Sequence, residues 1–282
     1  MRILGVHGVG NYRPGEPPEQ AAGHLSSIWA TALGPSTDAP AVRVAYYADL
    51  LRHPGRQGGA DSLDVLDDFE QELVQAWLDE LELPEGVAAG PGTWPLRQAV
   101  AWIARTRFPG KKGTEWFVAT FFREVAAYVR DPDGPQRAAA RARVTTAIAE
   151  HRPQVVIAHS LGSVVAYEAL WELPETPVEL LVTLGSPLAL PHAVFPRLQP
   201  APQQARGARP PGVRRWVNLA DPGDLVALPP GGIRRGFADV DTDEHTVIHG
   251  FDFHLVKNYL ASAGLRRALR DQAAGQAGAG DG

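Results

Sequence analysis

The chain opens on a short apolar run at 2–7, Arg-Ile-Leu-Gly-Val-His, that ends in glycines, the pattern of a buried strand running into a turn. Residues 18–33 have helical spacing, and a second strand-like run, Val-Arg-Val-Ala-Tyr-Tyr-Ala, occupies 42–48. From 61 the period is helical: Leu63, Leu66, Phe69, Leu73, Trp77 and Leu81 recur with acidic residues between them. Further helical stretches follow near 95–107, 114–130 and 135–151. Strand-like runs return at 154–158, 179–184 and 213–219, and helices are predicted at 161–173 and 254–270. The Pro-, Gly-, Gln- and Ala-rich segment 199–212 reads as a surface loop, and the tail 272–282 as disordered.

Strands that alternate with helices at both ends of the chain imply an α/β fold with a mostly parallel central sheet covered by helices on both faces. The helical block at about 61–130 interrupts that alternation and reads as an insertion into one domain spanning 1–271. A chain of 282 residues has room for such a domain.

Composition then narrows the chemistry. A formal charge of −5 argues against a partner held by a basic field, so no nucleic acid is expected. The absence of cysteine removes disulfides, thiolate catalysis and cysteine-ligated zinc. The start, MRILGVHGVGN, lacks the charged and apolar regions of a secretory signal. No uncharged stretch approaches the roughly 20 residues of a membrane span. The expectation is a soluble, cytoplasmic protein without a membrane span; its oligomeric state is left open.

The most informative stretch is QVVIAHSLGSVVAYEAL at 154–170. Its first half is strand-like and its second half helical, so Ser160 falls on a strand-to-helix turn. Such a sharp turn strains the backbone of the central residue and brings neighbouring segments close, which calls for tiny side chains two positions to either side; Ala158 and Gly162 meet that demand. The same geometry aims the next backbone N–H, that of Leu161, at the space in front of the serine, aided by the positive end of the new helix.

Ala158-His159-Ser160-Leu161-Gly162 resembles the nucleophile elbow, G-x-S-x-G, of the α/β-hydrolase superfamily, with the A-H-S-x-G variant found in some lipases. VHGVGN at 6–11 resembles the superfamily's oxyanion strand and His-Gly loop, which would make Val9 N–H the second oxyanion donor beside Leu161 N–H. VTLGSPLAL at 182–190 resembles the strand after the nucleophile helix. There Pro187 bars a second elbow, so Ser186 reads as structural. In WVNLADPGDLVALPP the superfamily's D-x-V-P acid is best matched by Asp224, with Asp221 the alternative or a turn-forming residue before Pro222-Gly223. HLVKNYL resembles the H-x-x-x-x-Y-L entry into the last helix of related hydrolases, which favours His254 as base over His249 and His245. The resemblance covers about 1–50 and 150–270 and is silent on 61–130.

It implies an α/β-hydrolase fold and a serine hydrolase of lipase or esterase type acting on a small-molecule ester or acyl substrate, with catalytic Ser160, Asp224 and His254. A peptidase, amidase or thioesterase with the same residues remains open, as does an inactive binding protein. No cofactor or metal is expected. Thr246, Val247 and Ile248 between His245 and His249 favour a strand that would separate the two rings. DVDTDEH has Glu244 where a calcium loop needs glycine, and it reads as a solvated loop. The insertion is expected to act as a lid that forms an apolar acyl pocket over Ser160. It carries Trp77, Trp94, Trp102 and Trp116 with Phe117, Phe121, Phe122 and Tyr128. The alternative is that these rings only pack the insertion onto the domain.

Overall fold

The computed structural model describes residues 1–34, 41–52, 63–81, 83, 94–106, 113–248 and 254–278. Strands β1 (Arg2–Val6), β2 (Ala41–Ala45), β3 (Val155–His159), β4 (Leu180–Leu184), β6 (Trp216–Ala220) and β8 (Thr242–His245) form one six-stranded sheet in the order β2-β1-β3-β4-β6-β8. All of its pairings are parallel. β5 (Gly207–Ala208) and β7 (Phe237–Ala238) make a separate two-residue ladder.

Helices cover both faces, which is why the inner strands read as continuous apolar runs rather than alternating ones. Successive residues point to opposite sides. Ile3, Val155 and Ile157 pack with Leu25 and Trp29 of α1 (Pro18–Leu33), Tyr259 and Leu260 of α8 (Val256–Leu260), and Leu265 of α9 (Ala263–Gly278). Leu4, Val156 and Ala158 join the larger core built with α2 (Asp68–Asp79), α3 (Trp94–Thr106), α4 (Thr114–Val129), α5 (Pro135–His151) and α6 (Leu161–Trp171). Among the described residues no helix is long and apolar enough to cross a membrane.

The insertion is helical and shares that second core. Trp77, Phe121, Phe122 and Tyr128 are buried in it, while Trp102 and Phe117 are partly buried against it. The side chain of Trp94 lies outside the described residues. α2 starts at Asp67, which forms a reciprocal capping box with Glu70. Deeper in, Glu168 of α6 accepts from Tyr128 Oη of α4 at 2.7 Å and from Arg137 Nε of α5 at 3.0 Å. The Arg137–Glu168 charge pair ties α5 to the helix that follows Ser160, and the Tyr128 bond ties the insertion to it.

Three segments differ from the sequence reading. DVDTDEH is not a solvated loop: residues 242–245 are the edge strand β8, paired with β6 from Val217↔Thr242 to Ala220↔His245. Its side chains are polar because they are themselves bonded. Asp243 accepts from Asn218 Nδ2 at 2.8 Å and from Arg234 N at 2.9 Å. The final helix is two helices, since Ser262 Oγ accepts Leu265 N–H at 3.2 Å and starts α9 afresh. α9 then continues to Gly278, past the point at 272 where a disordered tail was expected; Ala273, Ala274 and Ala277 are strong helix formers.

Candidate active site

β3 ends at His159, and Ser160 turns the chain into α6 with φ 54° and ψ −133°. An L-residue there bears strain on the order of 1–3 kcal/mol. Its surroundings hold it in place: Ser160 N donates to Leu184 O at 3.0 Å, and Ser160 O accepts from Ser163 N at 2.9 Å and Ser163 Oγ at 2.6 Å. The demand for a small residue at 162 is steric. A Cβ on Gly162 would stand 2.3 Å from His7 O and 2.5 Å from Val6 O. Ser186 bonds Ser163 Oγ at 2.7 Å and accepts Leu188 N–H at 3.2 Å, a bracing role away from any elbow.

Ser160, His254 and Asp224, far apart in the chain, meet here. Ser160 Oγ lies 2.9 Å from His254 Nε2, and His254 Nδ1 lies 2.8 Å from Asp224 Oδ2 and 3.0 Å from Oδ1. A carboxylate beside Nδ1 fixes the proton on that nitrogen and leaves the Nε2 lone pair for the serine hydroxyl. Asp224 is itself pinned: Oδ1 accepts Val226 N–H at 2.9 Å, and Oδ2 accepts the Tyr259 hydroxyl at 2.6 Å. Ser160 and Asp224 are buried, and His254 is 9% exposed.

Asp221 does other work. Its Oδ1 accepts Gly223 N–H at 2.8 Å, closing an Asx turn, and its Oδ2 accepts Ile248 N–H at 2.6 Å. His245 Nε2 faces Asp243 Oδ1 at 3.0 Å and Gly231 N at 2.9 Å, on the β8 side of the sheet. His249 lies outside the described residues. Among those described, no group of three His, Asp or Glu side chains is arranged to hold a metal ion.

The loop that carries Val9 runs against the serine: a Cβ on Gly8 would stand 2.5 Å from Ser160 Cβ. Gly8 O is held by His7 Nδ1 at 2.8 Å and by Asn11 Nδ2 at 2.9 Å, and Asn11 Nδ2 also reaches Val9 O at 3.1 Å. The Gly8–Val9 peptide is trans, so Val9 N–H points opposite to the Gly8 carbonyl and away from the side chains that hold it. Leu161 opens α6, where its N–H has no acceptor within the helix. His7 braces this wall from behind. Its Nε2 accepts Tyr47 N–H at 3.1 Å and its ring stacks on Tyr47 at 4.3 Å. Burial lowers the His7 pKa to about 4, against a smaller upward pull from its bond to Gly8.

Two buried neighbours tune the centre. The His159 ring lies 4.7 Å from that of His254. Burial first, and the nearness of His254 second, hold its pKa well below the usual histidine value, so it stays neutral. Tyr259 bridges the acid loop by accepting Asp221 N–H at 3.0 Å while donating to Asp224; burial and the Asp224 charge raise its pKa. From the far side, α4 brings Phe117 and Phe121 to 5.5 and 6.4 Å from the His254 ring, centroid to centroid.

Residues to which the sequence reading gave no role complete the site. Gly185 has φ 51°, and a Cβ on it would stand 2.5 Å from Asp224 Oδ2 and 3.2 Å from His254 Nδ1. The glycine of VTLGSP was a visible signal whose reason is three-dimensional. Asn11, which follows two glycines, could have been read as a turn-stabilising side chain. Tyr259 stands in the sequence reading only as a letter of HLVKNYL. No family model, curated protein or solved structure compared with the chain gives a match.

Proposed function

We propose that the chain is a serine hydrolase of the α/β-hydrolase superfamily that cleaves carboxylic esters through an acyl-enzyme at Ser160. The observation that carries this reading is the unbroken line of hydrogen bonds from Ser160 Oγ through His254 to Asp224, at 2.9 and 2.8 Å. The all-parallel strand order, the strained φ at Ser160 and the chain order Ser160, Asp224, His254 support it.

In this mechanism His254 Nε2 takes the Ser160 proton as Oγ attacks the acyl carbon. Asp224 keeps the imidazole in the required tautomer and stabilises the imidazolium. The negative charge that develops on the carbonyl oxygen is met by Val9 N–H and Leu161 N–H, helped by the positive end of α6. His254 returns the proton to the leaving alcohol, and a water activated in the same way releases the acid. Phe117 and Phe121 against His254 support an apolar slot for the acyl group, so the insertion acts as a lid.

A fluorophosphonate probe is expected to label Ser160, and Ser160→Ala to lose both labelling and hydrolysis while keeping its fold. A wild-type chain that never labels, or an alanine variant that still does, removes the assignment. A parallel screen of aryl esters, thioesters and anilides ranks the acyl classes.

A further inference from the structure

The insertion touches the acid loop, His254 and the glycine loop. Trp77 Nε1 of α2 donates to Leu225 O, beside the acid Asp224, at 2.6 Å. Phe117 and Phe121 of α4 pack on His254. One turn beyond Phe121, Glu124 Oε1 accepts the N–H of Gly10 at 3.0 Å. Trp116, two turns earlier, brings its ring edge to 3.9 Å from where a Gly10 Cβ would stand. Positions 116, 120 and 124 form one stripe of a helix, so this stripe lies along the glycine loop while the neighbouring stripe lies on His254.

We propose that Glu124 is a positioning residue for the oxyanion site, through which α4 sets the loop that presents Val9 N–H. The inference rests on the serine-hydrolase reading above. Gly10 has φ 72° and no side chain to wedge it, so the loop has no conformational stop of its own on that side. Asn11 and His7 hold the carbonyls of Gly8 and Val9. The Gly10 N–H is held from across the site, by a carboxylate 114 residues away in the chain. A charge-assisted bond of this kind is about twice as strong as a neutral one. Losing it loosens the 9–10 peptide, and the shift of Val9 that follows carries the adjoining 8–9 peptide, which holds the Val9 N–H, off the line to the developing oxyanion. The lid helix is thus part of the catalytic geometry and not only a cover: an α4 displaced from the site leaves the loop unset.

The test uses the full chain, a p-nitrophenyl ester as substrate and an aryl trifluoromethyl ketone as probe, since the ketone forms a tetrahedral oxyanion on the serine. Glu124→Ala is expected to lower kcat by about 10- to 100-fold, the range that follows from misplacing one oxyanion donor, with KM changed less than about 3-fold. Ketone affinity should fall by the same factor as kcat/KM, because both report oxyanion stabilisation. Glu124→Gln, which keeps a carbonyl acceptor for Gly10, should recover most of the loss. Far-UV circular dichroism and thermal midpoint for both variants separate these effects from misfolding. An alanine variant with wild-type kcat overturns the proposal. So does a glutamine variant as impaired as alanine, or a fall in kcat with ketone affinity unchanged. A wild type in which Ser160 neither labels nor turns over removes the serine-hydrolase reading and this inference together; labelling and turnover that survive Glu124→Ala unchanged remove this inference alone.

Discussion

Tyr259 donates its hydroxyl to Asp224 Oδ2 at 2.6 Å while accepting the backbone N–H of Asp221 at 3.0 Å. One phenol from α8 therefore holds both ends of the turn that presents Asp224 to His254. Tyr259 is completely buried, so no water replaces the hydroxyl once it is removed. Tyr259→Phe keeps the ring and leaves a buried carboxylate oxygen and a buried N–H each one partner short. A stability loss of about 1–3 kcal/mol is expected, read from the urea midpoint. Steady-state kinetics should show kcat reduced on the order of 10-fold with KM little changed. Unchanged kcat would mean that Val226 N–H and His254 alone suffice to orient Asp224.

The two aspartates of ADPGD part company by partner. Asp224→Asn is expected to reduce turnover on the order of 10⁴-fold, because an amide that donates toward Nδ1 favours the wrong tautomer of His254. Asp221→Asn turns one of two backbone-accepting oxygens into a donor that faces an N–H. The expected result is a variant destabilised by about 1–3 kcal/mol that retains partial turnover. Measuring kcat/KM and denaturation for the pair decides it, and a deeper kinetic loss in Asp221→Asn would reverse the assignment of the acid.

The elbow was legible because its constraints are local. Ser160 turns at positive φ, and the end of β1 packed against the next residues leaves no room for a Cβ at 162, a glycine written two letters after the serine. Asp224 and Asp221 could be ranked only by resemblance, since both sit beside a turn and each type makes turns well. What separates them, Ile248 N–H on one and His254 on the other, comes from 27 and 30 residues away. Separations of 31, 40 and 114 residues likewise hide the Arg137–Glu168 and Tyr128–Glu168 bonds and the Glu124–Gly10 bond. β8 is not legible in the pattern of apolar residues. An edge strand whose polar side chains bond Asn218 and Arg234 carries no such pattern. The break between α8 and α9 had a local signal, Ser262 ahead of a helical run, that the apolar spacing across 254–270 overrode.

Acid sensitivity is expected from the wall behind the loop that carries Val9. The folded-state pKa of His7 is about 4, below its unfolded value of about 6.5. The unfolded chain therefore binds more protons between those limits, so stability is complete above about pH 6.5 and declines as the pH falls toward 4. The shift corresponds to about 3 kcal/mol for this group when its titration is complete. His159 is shifted in the same direction and adds to the slope. His7→Gln, which can still accept Tyr47 N–H, should show a shallower loss in urea midpoint between pH 7 and 4.5 than the wild type. Parallel curves for the two would mean that other groups carry the acid dependence.

Ser160 has no solvent exposure, and the insertion sets two phenyl rings against His254: Phe117 at 5.5 Å and Phe121 at 6.4 Å. If those rings line an acyl slot, each methylene that enters it contributes roughly 0.8 kcal/mol. Efficiency on aryl esters should then rise several-fold per two-carbon extension and level off where the slot ends. Phe117→Ala removes a partly buried ring and should shift or flatten that profile while sparing the shortest ester. Phe121 is 2% exposed and also packs edge-on to Phe122 at 5.0 Å, so Phe121→Ala should combine the altered profile with a loss of about 3–5 kcal/mol in stability. Trp102, partly buried in the same core and with no ring contact to His254, serves as the contrast: Trp102→Ala should lower stability and leave the chain-length dependence in place. A profile that is flat in the wild type, or that survives Phe117→Ala and Phe121→Ala unchanged, would make these aromatics packing for the insertion and nothing more.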